Sequence, residues 1–346
     1  MDSEYSKRAA RKDEHIKMFL ETYETGDNGF ENVVLQNNAL PEIDFEHIDA
    51  SCFFLGKKAA LPIMINAITG GTEYTSEINR QLGMLAKEFN IPMAVGSQTI
   101  AIQNEQRRSS FQVVREINKD GIIIANLSAR SSYQDVCMAI EMLEADAVQL
   151  HLNVAQEICM KEGERHFSGI LENIKDLVHR IPVPLIVKEV GYGIAYETAK
   201  KLHDVGVRYI DIGGRGGTNF IAIEACRNPD ADHSFLANWG ISTAQSLLEC
   251  RRVSQDMRLI CSGGITKAEE IIKSIAMGAE MTAVSGLLLQ VLLQDGYEAA
   301  AKKLEQILYE LKVLMLLLGA SDVEKLSKTK YLLKGEMYQF YKQKFI

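Results

Sequence analysis

The stretch "DAVQLHLNVAQE", residues 146–157, decides how the chain is read. Its first part, DAVQLHLN, is a largely apolar run of strand length. Its second part sets an imidazole, two carboxamides and a carboxylate (His151, Asn153, Gln156, Glu157) where that strand runs out. Burying such groups costs free energy unless each finds a partner. A strand that ends in unmatched polar groups therefore points to a site at its C-terminal end.

Seven further runs share this form: LPIMINAIT (61–69), IPMAVGS (91–97), GIIIANLS (121–128), VPLIVKEVG (183–191), VRYIDIGG (207–214), RLICSGG (258–264) and MTAVSGLL (281–288). Between them, segments such as SEINRQLGMLAKEFN and AYETAKKLHDVG carry apolar residues at three- and four-residue spacing, the period of an amphipathic helix. Strands apolar nearly throughout, alternating with helices, imply a parallel sheet covered by helices. Eight such units in roughly 240 residues match a (β/α)8 barrel of the TIM type. An open doubly wound sheet is the competing fold and would need fewer units or a second domain. Residues 1–60 read as an N-terminal extension, and 61–346 as the barrel with its C-terminal helices. The segment YEAAAKKLEQILYELKVLMLLLGA is expected to be the eighth helix.

Bulk composition fits this architecture. With 47% hydrophobic and 24% charged residues among 346, the chain resembles soluble globular domains rather than disordered ones. A formal charge of -8 argues against non-specific nucleic-acid binding. Six cysteines show neither a CxxC pair nor zinc spacing. The opening MDSEYSKRAARKDEH is too polar for a secretory signal, and the longest apolar stretch is too short to span a bilayer. No membrane partner and a reducing cytoplasm are expected.

If the barrel is right, the strand C-termini converge on one mouth. They carry Thr69, Gly70 and Gly71; Gly96, Ser97 and Gln98; Asn126; His151 to Glu157; Lys188 and Glu189; Gly213 to Thr218; Ser262 to Gly264; and Ser285 with Gly286. Three glycine-rich ends in the late strands suit a phosphate, which backbone N–H groups approach where no Cβ intervenes. Lys188, on an apolar strand, is either ion-paired with Glu189 or Asp211 or a fixed positive charge beside an anion. Adjacent strand residues face opposite ways, so Lys188 and Glu189 cannot both face the axis. The His151–Glu157 group suits a Mg²⁺ that takes one carboxylate plus substrate phosphates, or else a hydrogen-bonded rim. In the extension, Arg8, Lys12 and His15, with Arg11 nearby, form a basic helical face that is either solvated or an anion clamp.

These residues, together with the ordered motifs RKDEH (11–15), NAITGG (66–71), AVGSQ (94–98), ANLSA (125–129), VKEVGYG (187–193), DIGGRGGTNF (211–220), WGIST (239–243) and SGGI (262–265), resemble the type 2 isopentenyl-diphosphate isomerases. That resemblance spans roughly residues 5–340. It implies an FMN across the mouth, with Ala67, Ile68, Thr69, Ser97, Asn126, Lys188 and Thr218 on its ring and ribityl chain, and Gly264, Ile265, Thr266, Ser285 and Gly286 on its phosphate. It also implies a small diphosphate substrate held by Arg11 and Lys12, with His15, Ser97, Gln98, Thr99, Asn153 and Gln156 around it. Catalytic roles fall to Gln156, His151 and Lys188, and Glu157 becomes the Mg²⁺ ligand.

The implied reaction is a 1,3-allylic proton shift run by reduced FMN, which NADPH reduces without being consumed each turnover. The family also commonly forms tetramers or larger homo-oligomers. Thr99 departs from the family, many of whose members have an arginine after GSQ; Arg107, Arg108 or the N-terminal clamp would then carry more of the diphosphate charge. An FMN-dependent 2-hydroxy-acid oxidase is the nearest alternative, but GGRGGTN supplies Arg215 without the base histidine such chemistry pairs with it.

Overall fold

A computed structural model of the chain describes residues 12, 14–23, 26–228 and 230–346. Twelve strands are labelled in chain order. β1 is Val33–Leu35, β2 Cys52–Phe54 and β3 Lys57–Ala59; β4 Ile63–Ile65, β5 Met93–Ala94, β6 Ile123–Ser128 and β7 Ala147–Leu152 follow. β8 is Leu185–Glu189, β9 Tyr209–Asp211, β10 Arg258–Ser262, β11 Met281–Val284 and β12 Tyr331–Leu333. β4 to β11 close into a barrel in which every neighbour is parallel. These are the eight runs expected from the sequence, shortened at their ends. An open sheet is excluded.

Period-two alternation divides each barrel strand between two environments. Outward residues such as Ile63, Ile65, Ile123, Ala125, Val148, Leu150, Val187 and Leu259 pack under the helices. Inward residues Met64, Ala94, Ile124, Ala147, Ile186, Ile260 and Met281 form an apolar floor. The antiparallel ribbon β2–β3 plugs that floor from below with Phe54, whose ring meets Tyr209 edge-on at 6.4 Å. Each fully buried aliphatic or aromatic side chain there contributes roughly 1.5–3 kcal/mol. Two residues further along six of the eight strands, the inward positions become Asn66, Asn126, Gln149, Lys188, Asp211 and Ser262; β5 offers Gly96 there and β11 stays apolar with Ala283. The interior thus passes from apolar to polar within one side-chain layer, on the way to the mouth.

Helices 73–88 and 133–143 begin on capping boxes at Thr72 and Ser132. Extra short helices follow alternate strands at the mouth: Thr99–Gln103 after β5, Val154–Cys159 after β7 and Phe220–Arg227 after β9. The end of the barrel differs from expectation. Residues 286–288 of the last run are not strand but open a helix, Gly286–Asp295, which is the eighth barrel helix. Gly296, at φ 86°, breaks the chain before a second helix, Tyr297–Leu318, the one expected to be eighth. The run SGLL is apolar for both structures; Leu288 and Leu289 are buried against the core from a helix. β1 pairs antiparallel with β12, stitching the extension to the C-terminal segment. Among the described residues no helix is long and apolar enough to cross a membrane.

Candidate active site

The mouth is organised around the buried carboxylate of Asp211, at the end of β9. Lys188 Nζ lies 2.9 Å from Asp211 Oδ2 with its side chain 10% exposed, against 0% for Asp211. Asn66 Nδ2 donates to the same oxygen at 2.5 Å, while Ser262 Oγ and the Gly213 N–H (3.3 Å) donate to Oδ1. Of the two partners open to Lys188, Asp211 is the one it meets. Glu189 turns outward and accepts from the backbone N–H groups of Val190, Gly191 and Tyr192 at 2.5–2.7 Å. Burial still pushes its carboxyl up to about 7, outweighing those hydrogen bonds and the nearby Lys188 charge.

From Asn66 the polar layer continues sideways. Gln149 Nε2 donates to Asn66 Oδ1 at 2.9 Å, Asn126 Nδ2 to Gln149 Oε1 at 3.3 Å, and Asn126 Oδ1 lies 2.9 Å from His151 Nδ1. Burial, then the charges of Lys188 and Lys12, push the His151 imidazole down to about 4. His151 is thus neutral at physiological pH. Gln98 stands apart from the mouth. It is fully buried, its Oε1 accepting from the Asn126 N–H and its Nε2 donating to the Ala139 carbonyl. It braces the wall rather than lining the opening.

The remaining polar groups of the opening stretch sit on helix 154–159. Asn153, just beyond β7, donates from Nδ2 to Glu157 Oε1 at 2.8 Å, and the Glu164 N–H donates to Glu157 Oε2 at 2.8 Å. Gln156 is buried and points the other way, its Nε2 donating to Glu224 Oε1 at 3.4 Å. Glu224 lies on helix 220–227, within the long loop after β9, and the sequence reading passed over it. Only the fold brings it to Gln156. Its carboxylate also meets His15 Nε2 at 2.9 Å and Arg227 Nη1 at 2.5 Å. Burial raises its pKa, but the hydrogen bond from His15 and the charges of His15 and Arg227 overcome this and hold it below the usual carboxylate range.

Two residues of the expected basic face, Lys12 and His15, reach the mouth. His15 anchors on Glu224, and Lys12 Nζ donates to the Ser97 carbonyl at 2.8 Å while lying 5.2 Å from the centre of the Phe111 ring. Arg8 and Arg11 lie outside the described residues. Thr99 opens helix 99–103 with Oγ1 3.1 Å from Ser97 Oγ. Arg108 is tied to Glu105 at 2.6 Å, whereas Arg107 has no ion pair among the described residues.

The residues expected to hold a flavin surround the same opening. Ala67 follows β4 with φ 36°, a left-handed backbone that non-glycine residues adopt only where neighbours enforce it. Thr69 is buried, and its carbonyl accepts from the Gly96 N–H at 2.9 Å. The loops Gly213–Thr218 and Ser262–Thr266 are pressed together: a Cβ on Gly264, at φ 71°, would sit 2.0 Å from the Gly216 carbonyl oxygen. Ser285 donates to the Asn66 carbonyl at 2.8 Å, and no side chain caps the helix that begins at Gly286. Two glycine loops beside a ten-residue helix whose N-terminus has no hydrogen-bonded side-chain cap suit a phosphate, although the Tyr23 ring lies against Gly286 and Glu270 accepts from the Thr266 and Lys267 N–H groups. The polar layer beneath, with Lys188 and Asp211 paired in it, suits the polar edge of a planar ring. Both halves of an FMN therefore fit. For a divalent ion the fit is narrower: no group of three His, Cys, Asp or Glu side chains among the described residues forms a metal site. Glu157 offers one carboxylate, so such an ion would draw its other ligands from substrate and water.

The family described as FMN-dependent dehydrogenase matches residues 99–333. A Moorella thermoacetica protein named isopentenyl-diphosphate delta-isomerase is 42% identical over 335 residues, covering 97% of this chain and 96% of its own. Proteins of the same name from Bacillus licheniformis (42%, 97% and 96% covered) and Listeria welshimeri (40%, 96% and 94%) are similar to the same extent. Among solved structures, a mandelate oxidase mutant with (S)-mandelic acid superposes with a TM-score of 0.66 over 95% of this chain and 97% of its own, at 18% identity. This last likeness is one of fold.

Proposed function

The chain belongs to the isopentenyl-diphosphate delta-isomerase family and carries its FMN-dependent barrel, and on that premise we propose that it interconverts isopentenyl and dimethylallyl diphosphate by a 1,3-allylic proton shift. One observation carries the reading: His151, held on Asn126, and Gln156, held on the buried Glu224 carboxylate, stand at a mouth that also carries Lys188, Glu157 and Lys12. Apolar chemistry at one end and diphosphate binding at the other both find partners there.

Reduced FMN, when bound, supplies the acid and base that an alkene requires, since among the described residues no side chain in the mouth is an acid of that strength. Lys188, already paired with Asp211, favours negative charge on whatever ring lies over it. Gln156 and His151 orient groups near the alkene by hydrogen bonding. Glu157 would hold a Mg²⁺, which would offset charge on the diphosphate, and Lys12, Arg11 and His15 would supply further positive charge to it. Asn153, Ser97 and Thr99 complete the diphosphate end. NADPH serves as the reductant that readies the flavin and is not consumed each turnover. We place the enzyme in the cytoplasm as a tetramer or larger assembly.

The test is anaerobic incubation with isopentenyl diphosphate, FMN, NADPH and Mg²⁺. Dimethylallyl diphosphate should form far in excess of NADP⁺. Product formed one-for-one with NADP⁺, or none at all, overturns the reading.

A further inference from the structure

We propose that Asp211 fixes the tautomer of His151 through a one-way chain of three buried amides, Asn66, Gln149 and Asn126, so that His151 carries its proton on Nδ1 and shows a lone pair on Nε2 to the barrel mouth. The chain starts from a group that can only accept. Asp211 receives Lys188, Asn66, Ser262 and the Gly213 N–H, so both of its oxygens are met by donors. Asn66 must therefore point its NH₂ at Asp211, which leaves its carbonyl toward Gln149. Gln149 then donates to that carbonyl, which turns its own oxygen to Asn126. Asn126 donates to Gln149, which turns its oxygen to His151 Nδ1. An amide oxygen only accepts, so Nδ1 must carry the hydrogen.

Reversing any one amide sets two acceptors or two donors against each other. Asn66, Asn126 and Gln149 are buried, Gln149 completely, so no bulk water relieves the mismatch. Three neutral amides thus transmit a polarity from β9 through β4, β7 and β6 and back to β7. Nε2 has no protein partner among the described residues. A neutral His151 held this way accepts a hydrogen bond from a ligand and cannot donate one. Asn66, Gln149 and Asn126 are positioning residues, acting through His151. The tautomer follows from the hydrogen-bond geometry and holds whatever reaction the mouth performs; for the proposed isomerisation it makes His151 an acceptor.

Long-range ¹⁵N–¹H correlation spectra of the chain labelled with ¹⁵N-histidine read this directly, with His151 assigned by its loss in His151→Gln. The Nδ1–H form should exceed the Nε2–H form by about tenfold or more, the worth of one buried mismatch. Gln149→Met cuts the chain in the middle, and the excess should collapse toward parity. Adding Asn126→Asp to Gln149→Met should restore the Nδ1–H form, because a carboxylate can only accept. A parent spectrum dominated by Nε2–H overturns the proposal without any variant. So does an undiminished Nδ1–H excess in Gln149→Met.

Discussion

Replacing Lys188 with Met keeps most of the aliphatic stem and removes the charge, which isolates the ion pair with Asp211. The two side chains are 10% and 0% exposed, so little solvent screens them. Breaking a buried pair from one side typically costs about 3–5 kcal/mol, because the surviving charge stays buried. Asp211 retains Asn66, Ser262 and the Gly213 N–H as donors, which places the cost at the low end, about 3 kcal/mol. For 346 residues at about 2.1 cal/mol/K each, the unfolding entropy is about 0.7 kcal/mol/K, so Tm should fall by about 4 °C. Asp211→Asn should cost a similar amount by stranding the ammonium. The double variant strands neither charge, and the cycle should show a coupling of about 2 kcal/mol. Equilibrium urea unfolding of the flavin-free protein, followed by circular dichroism, measures all four corners. A Lys188→Met variant within about 0.5 kcal/mol of the parent, or a strictly additive double variant, would refute a buried and energetically coupled pair.

Glu157→Gln should weaken Mg²⁺ activation by about 100-fold or more, beyond what the loss of an outer-shell partner produces, while the bound flavin keeps its visible spectrum; turnover with a parental Mg²⁺ dependence removes Glu157 as the ligand. Gly264→Ala places a methyl 2.0 Å from the Gly216 oxygen in a left-handed backbone, and should cost about 2 kcal/mol and release FMN in a fluorescence titration. Unchanged flavin affinity would show that these two loops do not hold the phosphate. Stability against pH should separate two opposing groups. His151, down from 6.5 to about 4, binds fewer protons folded than unfolded, so it withdraws up to about 3 kcal/mol as pH falls from 6.5 to 4. Glu189, up from 4.5 to about 7, does the reverse and withdraws stability as pH rises across 4.5 to 7. The two oppose each other between pH 4.5 and 6.5, so His151→Gln should slope downward with rising pH relative to the parent there. A His151→Gln curve parallel to the parent's contradicts the assignment.

The barrel was legible because its strands are apolar on both faces and their period needs no partner to be seen. Lys188 was legible for the complementary reason: a charge in such a run has to be answered. Asp211 was one of two named answers, and strand parity alone put Glu189 on the wrong face. The same parity contained more than was read from it. Asn66, Gln149 and Ser262 stand two residues beyond Met64, Ala147 and Ile260 on the inward face, so a count along each strand finds the polar layer. Two features were hidden for physical reasons. Residues 286–288 extend an apolar run whose periodicity cannot separate a buried strand from a buried helix. Glu224 reaches Gln156 from a helix 68 residues away, and no local pattern marks a contact made only by closure of the barrel.

The ribbon that joins β1 to β12 has a consequence for how the molecule comes into being. Residues 33–35 leave the ribosome early, yet their partners are residues 331–333. At about 5–20 residues per second, the first strand waits roughly 15–60 s for the last. During that interval the barrel strands can assemble in order, but the extension bearing Lys12 and His15 has not yet been tied to the C-terminal end. The ribbon is thus completed at the close of synthesis. A chain cut short before residue 331 would keep its eight barrel strands and the contacts of Lys12 and His15 with Ser97 and Glu224, and would lose only the ribbon.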